Sequence, residues 1–318
     1  MYRTIVLATD GSDCADRAAD WAFAVASTTG ATVHVLSVVD TRSYTAGLDD
    51  DTPTPESEGG RLEARANGVV EGTIRDHADA DVETVAAVEH GVPDRTVNEY
   101  AGAHDADLVV AGTHGWTGLN RFLIGSTAER IVRTAELPVL TVKERETPVP
   151  GAVDRVLLPV DRERGAEPAV AHALDFATTF DATLHVLSVV EAGVLSSGMA
   201  EPSLYDVLDA VEADARAVVD DVAERATAAG VDSETTVTVG DPRVAINDYV
   251  AEHGVDLVVM GTHGRTGLSR YLLGSVAERV VRTADVPVVT VRSFRDESDA
   301  ATAEAGEADI DTDVDTNS

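Results

Sequence analysis

Hydrophobic residues in this chain gather into short runs, and between the runs an apolar residue returns every three or four positions. The runs lie near Thr4 to Ala8, Thr32 to Val39, Val82 to Glu89, Leu108 to Gly112 and Val139 to Val142, with matching runs in the second half. Short runs rich in valine and leucine suit strands buried on both faces of a parallel sheet, and the stretches between them have the period of amphipathic helices. The order reads strand, helix, strand, polar loop, long helix, strand, helix, strand, glycine-rich loop, helix, strand. Such alternation predicts right-handed crossovers and a doubly wound, five-stranded parallel sheet, a Rossmann-like α/β unit.

The pattern occurs twice. Shifted by 151 residues, RTIVLATD from Arg3 meets DRVLLPVD from Asp154, and GATVHVLSVVDT from Gly30 meets DATLHVLSVVEA from Asp181. From GVPDR at Gly91 against GDPRV at Gly240 the shift is 149, so a two-residue slip falls in the polar region between. Across Asp107–Val142 and Asp256–Val291, 26 of 36 positions are identical, which makes the carboxyl half of each copy the more constrained. Residues 1–145 and 153–293 are therefore predicted as tandem domains, joined over 146–152 by a linker containing Pro148, Pro150 and Gly151. The segment 294–318 is predicted as an acidic disordered tail, with nine acidic and no basic residues from Asp296 onward. The polar loop from Thr45 to Gly60 is expected to be mobile.

One phrase appears in both copies: GTHGWTGLNRFLIGS from Gly112 to Ser126 and GTHGRTGLSRYLLGS from Gly261 to Ser275, each after a strand and before a helix. An open α/β sheet collects ligands at that place. Glycines at Gly112 and Gly115 allow close approach and let consecutive N–H groups turn to one anion. Gly125 and Ser126 open the next helix, where free N–H groups and the positive end of the dipole meet a hydroxyl. Gly261, Gly264, Gly274 and Ser275 repeat these parts. Glycine-rich turns also serve simply to pack helices closely, and that reading stays open.

Composition narrows the classes. At 44% hydrophobic but 4% aromatic, the interior is aliphatic. The net charge is −33, from 57 acidic against 24 basic residues, and Lys143 is the only lysine. Such a surface repels phosphate backbones and anionic lipid, so no nucleic-acid or membrane partner is expected. Molar salt, with a Debye length of about 3 Å, would relieve the self-repulsion. Lysine depletion with acidic excess resembles the proteins of salt-accumulating archaea. Cys14 is the sole cysteine, so no intramolecular disulfide forms. With no basic leader in MYRTIVLATDGS and no apolar run near the roughly 18 residues of a membrane span, a cytoplasmic location is expected.

GTHGRTGLSRYLLGSVAERVVRTADVPVVTVR resembles the ending of a universal stress protein domain, and IVLATDGS resembles its opening. The resemblance covers roughly Tyr2 to Lys143 and Val153 to Arg292. It implies a five-stranded parallel α/β unit, and the intact loop glycines imply the family branch that binds ATP or a related adenine nucleotide, with Mg²⁺ carried on its phosphates. Carried over by position, Asp10 is similar to the family aspartate near ribose and adenine. Ala8 stands where many members have proline, and Val38 matches the position that meets adenine through its main chain. Gly112, Thr113, His114, Gly115 and Gly118 would wrap ribose and phosphates, and Gly125, Ser126 and Thr127 would hold the phosphate tail. Trp116 stands where the family has a basic residue. In the second copy Pro159, Asp161 and Val189 match the opening. Gly261, Thr262, His263, Gly264, Arg265 and Gly267 match its loop, and Gly274, Ser275 and Val276 its phosphate end. There Arg162 and Glu163 replace the Gly-Ser that follows the aspartate, so each copy departs from the family at one end of the ligand.

The resemblance implies a regulatory nucleotide-binding module of the stress response, with its two final strands, VLTV and VVTV, facing each other as an intramolecular pseudo-dimer. Two copies on one chain raise the effective concentration for that pairing. Further homo-oligomerisation stays open. A slow ATPase or phosphotransferase is an alternative, although the lysine of G-x₄-G-K-[ST] is missing and no general base stands out. A scaffold without ligand is a third reading. His114 and His263 read as loop braces and His34 and His185 as packing residues. No residue is assigned as catalytic or as a metal ligand.

Overall fold

The computed structural model describes residues 2–42, 55–113, 125–143, 153–161, 167–191, 201–262 and 273–292. The first half runs β1 (Thr4–Ala8), α1 (Asp13–Thr29), β2 (Thr32–Asp40), α2 (Pro55–Asp76), β3 (Thr84–Gly91), α3 (Pro93–Ala103), β4 (Leu108–Gly112), α4 (Ser126–Thr134) and β5 (Val139–Val142). The second repeats it as β6 (Arg155–Val160), α5 (Glu167–Phe180), β7 (Thr183–Glu191), α6 (Glu201–Ala228), β8 (Ser233–Gly240), α7 (Pro242–His253), β9 (Leu257–Gly261), α8 (Ser275–Thr283) and β10 (Val288–Val291). The strands form one ten-stranded sheet in the order β3-β2-β1-β4-β5-β10-β9-β6-β7-β8. Pairing is parallel within each half.

Successive strand residues feed opposite cores, as a two-residue period requires. Ile5 and Leu7 join the cluster under α1 and α2, whereas Val6 joins Val97, Tyr100 and Ile131 under α3 and α4. α1 starts where Ser12 Oγ accepts the Ala15 N–H at 3.4 Å, with Asp13 and Asp16 in its first turn. It stops at Gly30, whose left-handed φ of 73° lets its N–H reach the Ala26 carbonyl. Two sequence expectations are corrected. The polar loop ends earlier, because Pro55 opens α2, a position where its missing N–H has no partner to lose. β3 begins at Thr84 rather than Val82, because a 3₁₀ turn over Ala78–Ala80 and Asp81 at φ 50° lead out of α2.

The halves join where β5 and β10 pair antiparallel, Thr141 opposite Val288 and Val139 opposite Thr290. Each threonine donates across the seam: Thr141 Oγ1 to the Val288 carbonyl (3.1 Å) and Thr290 Oγ1 to that of Val139 (3.3 Å). Lys143 Nζ donates to the carbonyls of Arg282 (2.8 Å) and Ala284 (2.6 Å) at the end of α8. Its counterpart Arg292 donates to Ala135 O after α4 (3.4 Å). Cations at helix carboxyl ends complement the dipole. Ahead of β1, Tyr2 OH bonds His172 Nδ1 of α5 at 2.9 Å, and one apolar cluster runs through both halves.

Candidate functional site

The order β3-β2-β1-β4-β5 reverses direction between β1 and β4, which opens a crevice beyond the carboxyl ends of those strands. There Thr9 N donates to Leu36 O (2.9 Å), Gly11 N to Thr9 Oγ1 (3.2 Å) and Ser12 N to Asp10 Oδ1 (3.0 Å), so the turn after β1 holds the Asp10 carboxylate in place. Gly11 has φ 75°, and a Cβ there would lie 2.8 Å from Val69 Cγ2 of α2. The turn therefore needs glycine twice over, for its dihedral and for the approach of α2.

A cavity of about 450 Å³ opens above this turn. That volume falls in the usual range of small-molecule sites, about 300–1,000 Å³. Every described residue expected at site one borders it: Ala8, Asp10, Val38, Gly112, Thr113, Gly125, Ser126 and Thr127. His114, Gly115 and Gly118 lie outside the described residues. Thr113 and Gly125 are held together, since Gly125 N donates to Thr113 O (2.6 Å), and Thr113 N donates to Val142 O (2.8 Å). Gly125 caps α4 without a side-chain hydrogen bond, and Gly125, Ser126, Thr127 and Ala128 at the start of α4 border the cavity. The first-turn N–H groups of a helix lack an intrahelical acceptor and carry the positive end of the dipole. Asp40, at the mouth, is bound by Arg42 (Nη2 to Oδ2, 2.7 Å), and that hydrogen bond holds its carboxyl below the usual range.

Gly112 has a different explanation from the one its place in the phrase suggests. A Cβ on it would lie 2.7 Å from Cys14 C and 2.8 Å from Cys14 O. The start of α1 occupies that space, so close helix packing alone accounts for this glycine. The sequence predicts the long helix α2 but not its place at the site, where it supplies Leu62, Arg65, Ala66 and Val69 to the cavity. Their spacing of i, i+3, i+4 and i+7 was a readable signal.

Site two shares the loop anchor. Gly274 N donates to Thr262 O (2.7 Å), Thr262 N to Val291 O (2.9 Å), and Gly274 caps α8 ahead of Ser275 and Val276. Its opening differs. β1 pairs β4 from Ile5–Leu108 to Ala8–Ala111, whereas β6 pairs β9 only at Val156–Leu257 and Leu157–Val258. Pro159, the counterpart of Ala8, has no N–H to give to β9, and the ladder stops at Val258, two pairs short of Met260, the counterpart of Ala111. Asp161 follows β6 and Val189 lies in β7 opposite Thr238. His263, Gly264, Arg265, Gly267, Arg162 and Glu163 lie outside the described residues. Nearby, Asp241 caps α7 and chelates Arg243, which pulls its carboxyl down to about 2.

The strand histidines stand apart from the cavity. His34 Nδ1 bonds Tyr100 OH and His185 Nδ1 bonds Tyr249 OH, both at 3.0 Å, and burial pushes both histidines below their ordinary pKa. Each tyrosine stacks on a further histidine, His104 at 3.9 Å and His253 at 3.8 Å between centroids.

The universal stress protein family model matches residues 1–143 and again 152–292. The chain belongs to the universal stress protein family. Universal stress protein MJ0531 of Methanocaldococcus jannaschii is 33% identical over 143 residues, covering 45% of this chain and 84% of that protein. A universal stress protein from Archaeoglobus fulgidus superposes with a TM-score of 0.68 at 20% identity, over 91% of this chain and 96% of its own. A functionally unknown protein, PA1789 of Pseudomonas aeruginosa PAO1, does so with 0.63 at 18%, over 97% and 98%. The last two establish a shared tandem fold. Among the described residues no helix of this universal stress protein is long and apolar enough to cross a membrane.

Proposed function

We propose that this tandem universal stress protein is a regulatory module that binds an adenine nucleotide, ATP or a close relative, with site one as its better-formed site. The observation that carries this is the cavity of about 450 Å³ in which Asp10, Val38 and the amino end of α4 border one space. Asp10 is a carboxylate acceptor suited to ribose hydroxyls, the apolar residues suit a base, and free N–H groups at a helix start suit phosphate. Mg²⁺ would be held chiefly by phosphate oxygens and water, since no group of three or more His, Cys, Asp or Glu among the described residues forms a metal site. The antiparallel β5–β10 seam supports a role as an intramolecular pair. The acidic surface fits a cytoplasm rich in salt.

The test is direct. Full-length protein is denatured and the released small molecules are identified by mass spectrometry, and ATP, ADP and AMP are titrated calorimetrically. Ser126→Glu puts a carboxylate at the α4 amino end and is expected to weaken ATP at site one by about tenfold or more. No released nucleotide, together with no heat for any of the three, would sink the reading.

A further inference from the structure

α2 turns one face to the cavity, with Leu62, Ala66 and Val69 giving it an apolar surface and Arg65 set among them. Arg65 is exposed at the mouth, and among the described residues bordering the cavity it is the only basic one, against the carboxylates Asp10 and Asp40. A polyphosphate entering here meets Asp10 and, beside it, Asp40, whose charge is already shared with Arg42. The amino end of α4 offers only about half a unit charge in return.

The second copy inverts the arrangement. α6 matches α2 at the 149-residue shift, since buried Ala66, Val70 and Thr73 correspond to buried Ala215, Val219 and Val222. At that shift Arg65 becomes Asp214, while in the glycine phrase Trp116 becomes Arg265. Each copy thus carries one basic residue across these two positions, on the helix in the first and in the phrase in the second.

We propose that Arg65 is the residue of site one that reads phosphate: its guanidinium contacts the ligand's phosphates and makes this site prefer a nucleotide to the bare nucleoside. The inference rests on the nucleotide reading above. A guanidinium presents a planar fork of donors that matches two phosphate oxygens, and in a partly enclosed site such a contact is stronger than in bulk water. At the matching helix position the second copy carries Asp214, whose charge opposes that of a phosphate.

The experiment uses the full chain in a Ser275→Glu background, which puts a carboxylate at the phosphate end of site two. ATP, ADP and adenosine are titrated against it by calorimetry. Arg65→Ala is expected to weaken ATP about tenfold, or about 1.4 kcal/mol, and adenosine by less than about twofold. Arg65→Lys should restore part of the ATP affinity. An unchanged ATP constant, or an equal loss for adenosine, overturns the role of Arg65 and leaves nucleotide binding standing. A parent chain that binds neither ATP nor adenosine overturns both readings.

Discussion

The two sites are alike at their loop anchors and unlike at their opening turns. Thr113–Gly125 and Thr262–Gly274 close the same hydrogen bond at 2.6 and 2.7 Å, and both helices begin on a glycine cap. At the other end, site one has Ala8 in a continued β1–β4 ladder and Gly11 in a left-handed turn under Val69. Site two has Pro159 where the β6–β9 ladder has stopped, and Arg162 where a glycine would permit that turn. The loop anchor is common to both copies, whereas the opening turn, which in the first copy also admits α2 and caps α1, is not. Asymmetry in the openings is therefore the feature to attack.

The largest effect should come from the shared part. Gly112→Val adds a Cβ within 3 Å of the Cys14–Ala15 backbone, which no rotamer can avoid. It is expected to cost about 2–4 kcal/mol, read as a lower denaturation midpoint in urea. Gly240→Ala has no atom within 4 Å of the new Cβ and should be neutral within about 0.5 kcal/mol. Equal midpoints for the two variants would refute the packing account of Gly112.

Next in size is the exchange of openings. Gly11→Arg with Ser12→Glu writes the second copy's turn into the first, placing a side chain at φ 75°, against Val69, and removing the α1 cap. About 1–3 kcal/mol of stability should be lost, and ATP affinity at site one should fall about tenfold or more. The reverse change, Pro159→Ala with Arg162→Gly and Glu163→Ser, should tighten site two. Site-one affinity that survives the exchange would mean the turn does not position the ligand.

The α/β fold was legible because both faces of the central strands are buried, so they appear as valine and leucine runs that stand out from the helices, whereas the edge strands β3 and β8 keep exposed positions. The glycine phrase was legible as a strand-to-helix loop for the same reason. The start of α2 was not, since Pro55, Gly59 and Gly60 fall in a stretch that reads as polar loop, although proline is tolerated in a first helical turn and neither glycine meets any atom within 4 Å. The two-residue slip hid the pairing of Arg65 with Asp214, which only the burial pattern of the two helices restores. The role of Gly112 was out of reach as well, because a glycine that admits a helix and one that admits a phosphate look identical in sequence. Lys143 read as a compositional oddity until its two bonds to the end of α8 were seen.

The smallest effect concerns the seam, where the halves differ again. Tyr2 and His172 meet there, while their counterparts at the 151-residue shift are Val153 and Trp21, both buried. Burial holds His172 below its ordinary pKa, the amino terminus adds to that, and Asp175 and Asp107 oppose it. A depressed histidine stays neutral when folded, so the unfolded chain binds the proton first. The stability it contributes is full above about pH 6.5 and is lost as pH falls through the folded value. His34 and His185 act in the same direction, whereas His77, raised by its bond to Asp20, acts in the opposite one. Tyr2→Phe with His172→Phe removes the titrating group without stranding the hydroxyl, so Tm should fall less steeply between pH 7.5 and 5.5 than in the parent. Trp21→Phe lowers Tm at every pH but should leave that slope unchanged, because the residue does not titrate. A parental slope in the Tyr2/His172 double variant would show that the seam senses no proton and that the two sides of the junction differ in shape alone.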